Sequence, residues 1–367
     1  MANFRLLQFL LLIHFTFLLV QSSSRAYLPQ PKNHVALFIF GDSLFDAGNN
    51  NYINTTTNFQ ANFVPYGETF FHHPTGRFCD GRLIPDFIAE HAKLPLLPPY
   101  KQPGNYQFTH GVNFASAGAG ALSQTFAGMV IDLKTQLVYF KNVKKMLEQK
   151  LGEEEANKFL SSAVYLLSIG SNDYLLPILT NFTSQFYSRE EFVGMVIGNL
   201  TTVVEGIYKT GGRKFGFVNL GPLGCFPFMR ALNIANGGEC VEEATAFAKL
   251  HNIALSKVLK RLERRLHGFK YSKFDLYTTS LEAMNNPSKY GFKEANSACC
   301  GSGPFRGEDS CGGKRGVAEY ELCSDPNEYI FFDSAHPTET ANRQIAQLMW
   351  NGTPDDVSPY NLKALFE

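Results

Sequence analysis

The sequence has few of the features that mark a nucleic-acid-binding or membrane-spanning chain. Lys plus Arg and Asp plus Glu both number 33, so the formal net charge is zero, and no long basic stretch or acidic tail is present. That balance argues against nucleic acid as a partner. Only one apolar run, close to the N-terminus, is long. The remainder of the sequence therefore offers no candidate for a transmembrane segment.

The first 26 residues have the layout of a secretory signal peptide. Arg5 precedes an apolar run from Leu6 to Val20, and small residues follow as far as Ala26. This order is typical of a cleaved signal. A signal anchor is the alternative, but the run is short for spanning a bilayer. We therefore predict a secreted, extracellular protein whose mature chain, residues 27–367, is a single domain with insertions.

Sequons and cysteines agree with a secretory route. Asn-x-Ser/Thr sequons predict glycosylation at Asn54, Asn181, Asn199 and Asn351. Four of the seven cysteines crowd into a Gly-rich loop near 296–324, which indicates a disulfide-stapled loop, and Cys225 with Cys240 could close another. A zinc site is the alternative, but two of these cysteines are adjacent and no Cys-x-x-Cys pair accompanies them. The odd cysteine, Cys79, is the candidate for a free thiol.

Strand-like apolar runs alternate with helical patterns along the chain. The runs are Val35–Phe40, Val112–Ala115, Ala163–Ile169, Phe215–Leu220 and Phe274–Tyr277. The helical patterns are Ile84–His91, Asp132–Leu151, Glu190–Lys209, Glu242–Leu266 and Thr338–Trp350. This alternation predicts an α/β fold with a mostly parallel five-stranded sheet covered on both faces. The 33 phenylalanines are interpreted as core side chains rather than as a substrate groove.

A Gly41-Asp42-Ser43 turn ends the first of these runs. Ligands bind beyond the carboxyl ends of the strands in open α/β sheets, so Ser43 is a candidate nucleophile. The tripeptide alone is also typical of an ordinary turn. A serine nucleophile needs a base and a group that orients the base, and Asp333 and His336 offer both just before the last helical pattern. The alternative is that Asp333 or Ser334 caps that helix and His336 is a surface residue.

Two further strand ends could supply oxyanion donors. Ser116-Ala117-Gly118-Ala119-Gly120 follows the second run, and glycine lets a backbone N–H approach a ligand closely. Gly170-Ser171-Asn172-Asp173 follows the third run, and an Asn amide can donate from its side chain. Each motif alone is typical of a tight turn. A dinucleotide-binding loop is disfavoured, because Ser123 stands where its third glycine belongs.

The four elements occur in an order that resembles the GDSL-type SGNH hydrolases. The resemblance covers nearly the whole mature chain and is closest to the plant GDSL esterase/lipases. Their long motifs match Phe40–Asn50, Gly81–Phe87 and Gly111–Ser116. The resemblance implies a flavodoxin-like three-layer α/β/α fold and no metal or organic cofactor. The Gly-x-Ser-x-Gly elbow of the α/β-hydrolases is absent from the sequence, which disfavours that fold.

The resemblance also implies a role for each motif residue. Ser43 would be the nucleophile, His336 the base and Asp333 the group that orients the base. The oxyanion donors would be the backbone N–H groups of Ser43 and Gly118 and the side-chain amide of Asn172. Gly120 is the less favoured of the two glycines.

The function expected from these roles is hydrolysis of a carboxylic ester through an acyl-enzyme on Ser43. One alternative is an acyltransferase that passes the acyl group to another alcohol. Another is a non-catalytic secreted binding protein that keeps the fold. A cysteine hydrolase that uses Cys79 is the weakest alternative, because no papain-like signature surrounds that residue. The natural ester, whether small molecule or polymer, and the oligomeric state are left open.

Overall fold

The computed structural model describes residues 35–180, 187–313 and 318–367. The predicted signal peptide and the sequon at Asn181 lie outside these residues. Residues 35–367 form one compact unit. No helix in the described ranges is long and apolar enough to cross a membrane.

Six of the strands form the main sheet. In chain order the strands are β1 (Leu37–Gly41), β2 (Gly111–Asn113), β3 (Val164–Ser168), β4 (Lys214–Val218), β5 (Lys270–Phe274), β6 (Glu294–Ala298), β7 (Cys300–Gly301), β8 (Glu321–Leu322), β9 (Tyr329–Phe331) and β10 (Val357–Pro359). The main sheet has the order β10-β5-β4-β3-β1-β2, and two small sheets pair β6 with β9 and β7 with β8. All pairs in the main sheet are parallel except β10 with β5. Without β10 the order is 2-1-3-4-5, as in flavodoxin.

Helices connect the strands and cover the sheet. They are α1 (Ile84–His91), α2 (Leu133–Leu151), α3 (Glu153–Ser162), α4 (Ser171–Thr180), α5 (Arg189–Lys209), α6 (Pro227–Leu232), α7 (Glu242–Arg265), α8 (Leu276–Asn285), α9 (Glu339–Asn351) and α10 (Leu362–Phe366). Short 3₁₀ helices cover Asn49–Tyr52, Thr57–Phe59, Leu223–Cys225, Ile234–Asn236, Pro287–Tyr290, Pro304–Arg306 and Pro326–Glu328.

Strand β1 shows how the sheet separates two cores. Successive side chains of a strand point to opposite faces, and all five residues of β1 are buried. Phe38 and Phe40 pack with buried residues of α2, α3, α5 and α7. Leu37 and Ile39 pack with those of α1, α9 and α10 on the other face. Burial of each such side chain contributes about 1.5–3 kcal/mol. These two cores make the fold the three-layer α/β/α type that the sequence predicts.

The structure differs from the sequence prediction in two parts of the sheet. The predicted strand Phe274–Tyr277 is wrong, because β5 ends at Phe274 and α8 begins at Leu276. Asp275 caps that helix by accepting a hydrogen bond from the Thr278 N–H. Strand β5 starts with the exposed Lys270, so a search for continuous apolar runs does not find it. The sixth strand, β10, was not predicted; it is an edge strand that ends in proline.

The cysteine predictions agree with the structure. Cys225 is bonded to Cys240. The Gly-rich loop is closed twice, by Cys299–Cys323 and by Cys300–Cys311. Cys79 is free and buried. These six bonded cysteines are therefore not ligands of a zinc ion.

Candidate active site

The candidate site lies at the point where the strand order of the sheet reverses. Strand β1 has β2 on one side and β3 on the other, and this switch point is where open α/β sheets bind ligands. Ser43 follows the carboxyl end of β1, Gly118 follows β2, and Asn172 lies in the first turn of α4 after β3. His336 lies between β9 and α9. The chain topology thus brings together four predicted motifs that are far apart in sequence.

The buried Gln136 of α2 fixes the end of β1. Its side chain accepts a hydrogen bond from the Gly41 N–H at 2.9 Å and donates to the Gly41 carbonyl at 2.8 Å. Gly41 has φ +154°, and a Cβ there would come within 2.3 Å of the Ser168 carbonyl oxygen. The turn that presents Ser43 therefore requires glycine and is held by a residue that sequence reasoning missed.

Ser43, His336 and Asp333 form a continuous chain of hydrogen bonds. His336 Nε2 lies 2.7 Å from Ser43 Oγ. His336 Nδ1 lies 2.8 Å from Asp333 Oδ1 and 2.9 Å from Oδ2. Because Nδ1 faces a carboxylate, it carries the ring proton, and Nε2 is left to accept the proton of the serine hydroxyl.

Asp333 is held by donors besides His336. Its Oδ1 accepts hydrogen bonds from the backbone N–H groups of Ala335 at 2.9 Å and His336 at 2.8 Å. Its Oδ2 accepts one from the Tyr66 hydroxyl at 2.7 Å. Burial alone would raise the pKa of Asp333, but His336 and these donors outweigh burial and lower the pKa to about 2. The carboxylate is therefore ionised throughout the neutral range.

Tyr66 was not found by sequence reasoning, since it is separated from Asp333 by 267 residues. Its ring is buried and meets the rings of Phe332 and Phe78 edge-on, with centroids 5.4 and 5.8 Å away. Phe78 in turn packs against the His336 ring at 4.8 Å. These contacts hold both Tyr66 and the imidazole in place.

The predicted oxyanion donors open onto the same cavity as Ser43. Gly118 and Asn172 line that cavity, whereas Gly120 does not. Gly118 has φ +80°, and a Cβ there would come within 2.5 Å of the Phe59 ring. Asn172 donates one amide hydrogen to the Ala119 carbonyl at 3.0 Å, which leaves its second N–H for a ligand. The geometry favours Gly118 over Gly120.

Two buried carboxylates hold the loop that carries Gly118. Asp46 accepts a hydrogen bond from the Ala117 N–H at 2.9 Å. Asp173 accepts from the backbone N–H groups of Ala121 and Leu122, at 2.8 and 3.0 Å, and from the Thr125 hydroxyl at 2.6 Å. Burial raises the pKa of each carboxyl to about 6, against the effect of these donors. Both residues lie in motifs named above, but only their contacts show this role.

Asp42 closes the turn next to Ser43. Its Oδ1 accepts a hydrogen bond from the Leu44 N–H at 3.1 Å. Burial raises the pKa of Asp42 to about 7, although that donor and His336 act in the opposite direction.

The candidate catalytic cavity, which Ser43 and His336 line, has a volume of about 330 Å³ and mainly apolar walls. Its apolar residues include Leu175 and Leu179 of α4 and Phe226, Phe228 and Phe331. Phenylalanines such as Phe38 and Phe140 fill the core, as predicted, while others form this wall. In the described ranges, no group of three or more His, Cys, Asp or Glu side chains is placed to hold a metal ion.

Three of the predicted glycosylation sites lie on the surface. The side chains of Asn54, Asn199 and Asn351 are exposed.

Known proteins resemble this chain over most of its length. It is 54% identical over 356 residues to GDSL esterase/lipase 5 of Arabidopsis thaliana, covering 96% of this chain and 92% of the relative. It is 54% identical over 339 residues to GDSL esterase/lipase 1 of the same plant, covering 91% of each. A GDSL lipase of Tanacetum cinerariifolium is 54% identical over 332 residues, covering 90% of this chain and 88% of the relative. Together with a family model that matches residues 37–349, these relatives show that the chain belongs to the GDSL-like lipase/acylhydrolase family.

Proposed function

We propose that Ser43, His336 and Asp333 are the nucleophile, general base and orienting carboxylate of this protein, which is a carboxylic ester hydrolase of the GDSL family. The observation that supports these roles best is the 2.7 Å contact between His336 Nε2 and Ser43 Oγ, with Asp333 on the other side of the imidazole. This is the arrangement that activates a serine hydroxyl, irrespective of the fold that carries it.

The proposed reaction has two halves. Ser43 Oγ attacks the ester carbonyl carbon while its proton passes to His336 Nε2. The carbon–oxygen bond to the alcohol then breaks, and His336 returns that proton to the departing alcohol oxygen. A water molecule next gives a proton to His336 and attacks the acyl-Ser43 carbonyl. The bond between the acyl carbon and Ser43 Oγ then breaks, His336 returns the proton to Oγ, and the carboxylic acid leaves.

The oxyanion of each tetrahedral intermediate would accept hydrogen bonds from Ser43, Gly118 and Asn172. The Ser43 and Gly118 N–H groups have no protein acceptor among the described residues. Donors fixed in advance stabilise the charge that develops in the transition state, and each contributes about 3–4 kcal/mol. The ties from Asp46 and Asp173 to the Gly118 loop supply this fixed placement.

The substrate that the cavity favours has an apolar acyl group. Walls of Leu and Phe side chains would stabilise such a group by about 0.8 kcal/mol for each CH₂ removed from water. Turnover of a series of aryl esters from acetyl to long acyl chains would test this point. Preference for acetyl over every longer chain would contradict it.

The roles are tested by Ser43→Ala, with Ser280→Ala as the matched control. Ser280 lines the same cavity, whereas the hydroxyl bonded to His336 Nε2 is that of Ser43. Ser43→Ala is expected to lower kcat by a factor on the order of 10⁴–10⁶ and to abolish labelling by a fluorophosphonate probe. Ser280→Ala is expected to keep both the ester turnover and the labelling of the wild type. Undiminished turnover by Ser43→Ala would refute the assignment.

Hydrolysis and acyl transfer share the acyl-enzyme and are separated by their products. The assay offers one acyl donor with and without an added alcohol and quantifies both the free acid and the new ester. Hydrolysis predicts the free acid as main product at all alcohol concentrations. A new ester that dominates at millimolar alcohol would instead identify a transferase.

We also propose that the protein is secreted and glycosylated. The sequence motifs of residues 1–26 and the three disulfides support secretion. The exposed side chains of Asn54, Asn199 and Asn351 are accessible to glycosylation. Expression in plant cells, followed by N-terminal sequencing and glycosidase treatment of the medium fraction, tests both statements.

A further inference from the structure

Helix α7 presents a cluster of positive charge, here called the basic face, made of Lys257, Lys260, Arg261 and Arg264. Residues spaced i, i+3, i+4 and i+7 lie on one side of a helix. All four side chains are exposed, while Leu259 and Leu262 on the opposite side are buried. Together with Arg265 they line an open surface groove of about 440 Å³.

The basic face lacks ion-pair partners in the parts of the chain that the structure describes. Arg265 pairs with Glu205. The four residues of the basic face make no ion pair within 4.0 Å in the described parts of the chain. Glu263 is the one acid within this stretch of the helix, and its side chain is exposed. Like charges at this spacing destabilise a helix by about 0.2–0.5 kcal/mol per pair, so the cluster has a cost in the free protein.

The helix dipole explains only part of this arrangement. Positive side chains are stabilising in the last turn of a helix, which accounts for Arg264 and Arg265. The dipole effect falls off beyond that turn. The dipole therefore does not stabilise Lys257 and Lys260, whereas a negatively charged ligand would.

The basic face lies away from the cavity that holds Ser43. The Asn252 side chain of α7 bonds to the backbone of Leu220, just beyond the carboxyl end of β4, at 2.9 and 2.8 Å. At 1.5 Å per residue the basic face lies about 8–18 Å further along the helix, toward the start of β5. Lys270, the exposed first residue of β5, adds positive charge at the same edge of the sheet. The catalytic cavity opens at the other edge and shares no residue with the groove.

We propose that the basic face binds an acidic polysaccharide of the extracellular matrix, a polymer of uronic acid residues, and so tethers the enzyme to it. Charge complementarity supports this partner: successive cations one helical turn apart can follow a chain of regularly spaced carboxylates, and short Lys/Arg-rich segments bind sulfated polysaccharides in the same way. A lipid surface fits less well, because docking at this edge would turn Ser43 away from the lipid. The choice of partner rests on the proposed secretion, and it does not depend on the role of Ser43.

The test compares two variants that change the net charge equally. The basic-face variant carries K257Q, K260Q, R261Q and R264Q. The control variant carries K134Q, K141Q, K145Q and K158Q, whose lysines are exposed on α2 and α3. Binding of each full chain to polygalacturonate is measured in 50 and 200 mM salt, next to duplex DNA and to vesicles with an anionic lipid. Turnover of a soluble aryl ester and Tm are recorded for the same samples.

The proposal predicts polygalacturonate binding by the wild type that weakens steeply with salt. The basic-face variant is expected to bind at least tenfold more weakly and with a shallower salt dependence, because fewer counterions are released. Its ester turnover should equal that of the wild type, and the control variant should bind as the wild type does. Absence of binding by the wild type, or equal weakening in both variants, would overturn the proposal. Tighter binding to DNA or to vesicles than to polygalacturonate would overturn the choice of partner. Loss of ester turnover by Ser43→Ala has no bearing on these results.

Discussion

Replacement of Tyr66 by phenylalanine removes one hydrogen-bond donor from Asp333 and leaves the aromatic packing in place. The hydroxyl lies 2.7 Å from Asp333 Oδ2, and Tyr66 is 1% exposed, so no water is positioned to replace it without rearrangement. A hydrogen bond to a charged group contributes about 1.5–3 kcal/mol. We expect Tyr66→Phe to reduce the free energy of unfolding by an amount near the lower end of this range, because Tyr66 lowers the pKa of Asp333 less than His336 does.

The stability loss should depend on pH in a defined direction. The pKa of Asp333 is about 2, below its ordinary value, so its ionised form stabilises the fold above about pH 4 and that contribution disappears as the pH falls toward 2. Tyr66→Phe raises this pKa, since one donor to the carboxylate is lost. The difference in Tm between variant and wild type should therefore be full at pH 5 and above and shrink between about pH 4 and 2.

Catalysis should change less than stability does. The bond from Tyr66 is present in both the ground state and the transition state, so only the loss of His336 orientation lowers kcat, by about tenfold or less. A carboxylate with one donor fewer also stabilises the protonated imidazole better, so the acidic limb of the kcat/KM profile should move to higher pH. Both effects are measured with a soluble aryl ester between pH 5 and 9.

Tyr165→Phe is the matched control. Tyr165 is fully buried and donates to the Leu160 carbonyl at 2.8 Å, away from the catalytic cavity. It should lower stability by about 0.5–1.5 kcal/mol and leave the pH profile unchanged. If Tyr66→Phe matches the wild type in both Tm and pH profile, or merely reproduces Tyr165→Phe, the reasoning about Asp333 is refuted.

Three other predictions follow from single contacts. Asn172→Ala should reduce kcat by about 10²–10³ with KM little changed, as expected for an oxyanion donor. A similar rise in KM with kcat unchanged would instead indicate a role in substrate binding. Gly118→Ala should lower both kcat and Tm, because its Cβ would meet the Phe59 ring at 2.5 Å and the residue has φ +80°. His251 is buried, and burial lowers its pKa to about 3, so stability should fall by about 1.4 kcal/mol per pH unit from about pH 6 down to 3. His251→Gln should flatten this slope in a Tm series against pH.

The sequence predicts best those parts of the protein in which local signals and tertiary packing agree. Strand β1 is a continuous apolar run that ends at a Gly-Asp-Ser turn, and the predicted helix Ile84–His91 has the same bounds in the structure. Strand β5 was misplaced because it begins with lysine and lies next to the short edge strand β10. Its stability comes from pairing with β4, which no local pattern records.

The supporting contacts of the site could not be predicted for a similar reason. A tyrosine 267 residues from Asp333 carries no local mark of its partner. Gln136 is separated from Gly41 by 95 residues, and within a helical pattern it looks like one more polar surface residue. Such pairs form only when the folded chain brings distant segments together: Gln136 reaches Gly41 from α2, and Tyr66 and Asp333 lie in loops.

Activity should therefore depend on more than an intact set of Ser43, His336 and Asp333. Asp46 before the Gly118 loop and Asp173 after it accept hydrogen bonds from its backbone, beside the bonds that Asn50 and Asn172 donate to the loop's carbonyls. Neither carboxylate needs to touch substrate, and loss of either would remove a restraint on the proposed oxyanion donor. The contact between Ser43 and His336 does not involve them. Catalysis depends on donors that are fixed before the charge develops. A variant that lacks Asp46 or Asp173 but keeps its fold and Ser43 would therefore turn over substrate slowly. Activity of this protein should thus depend on Asp46 and Asp173 as well as on the residues proposed to carry out the chemistry.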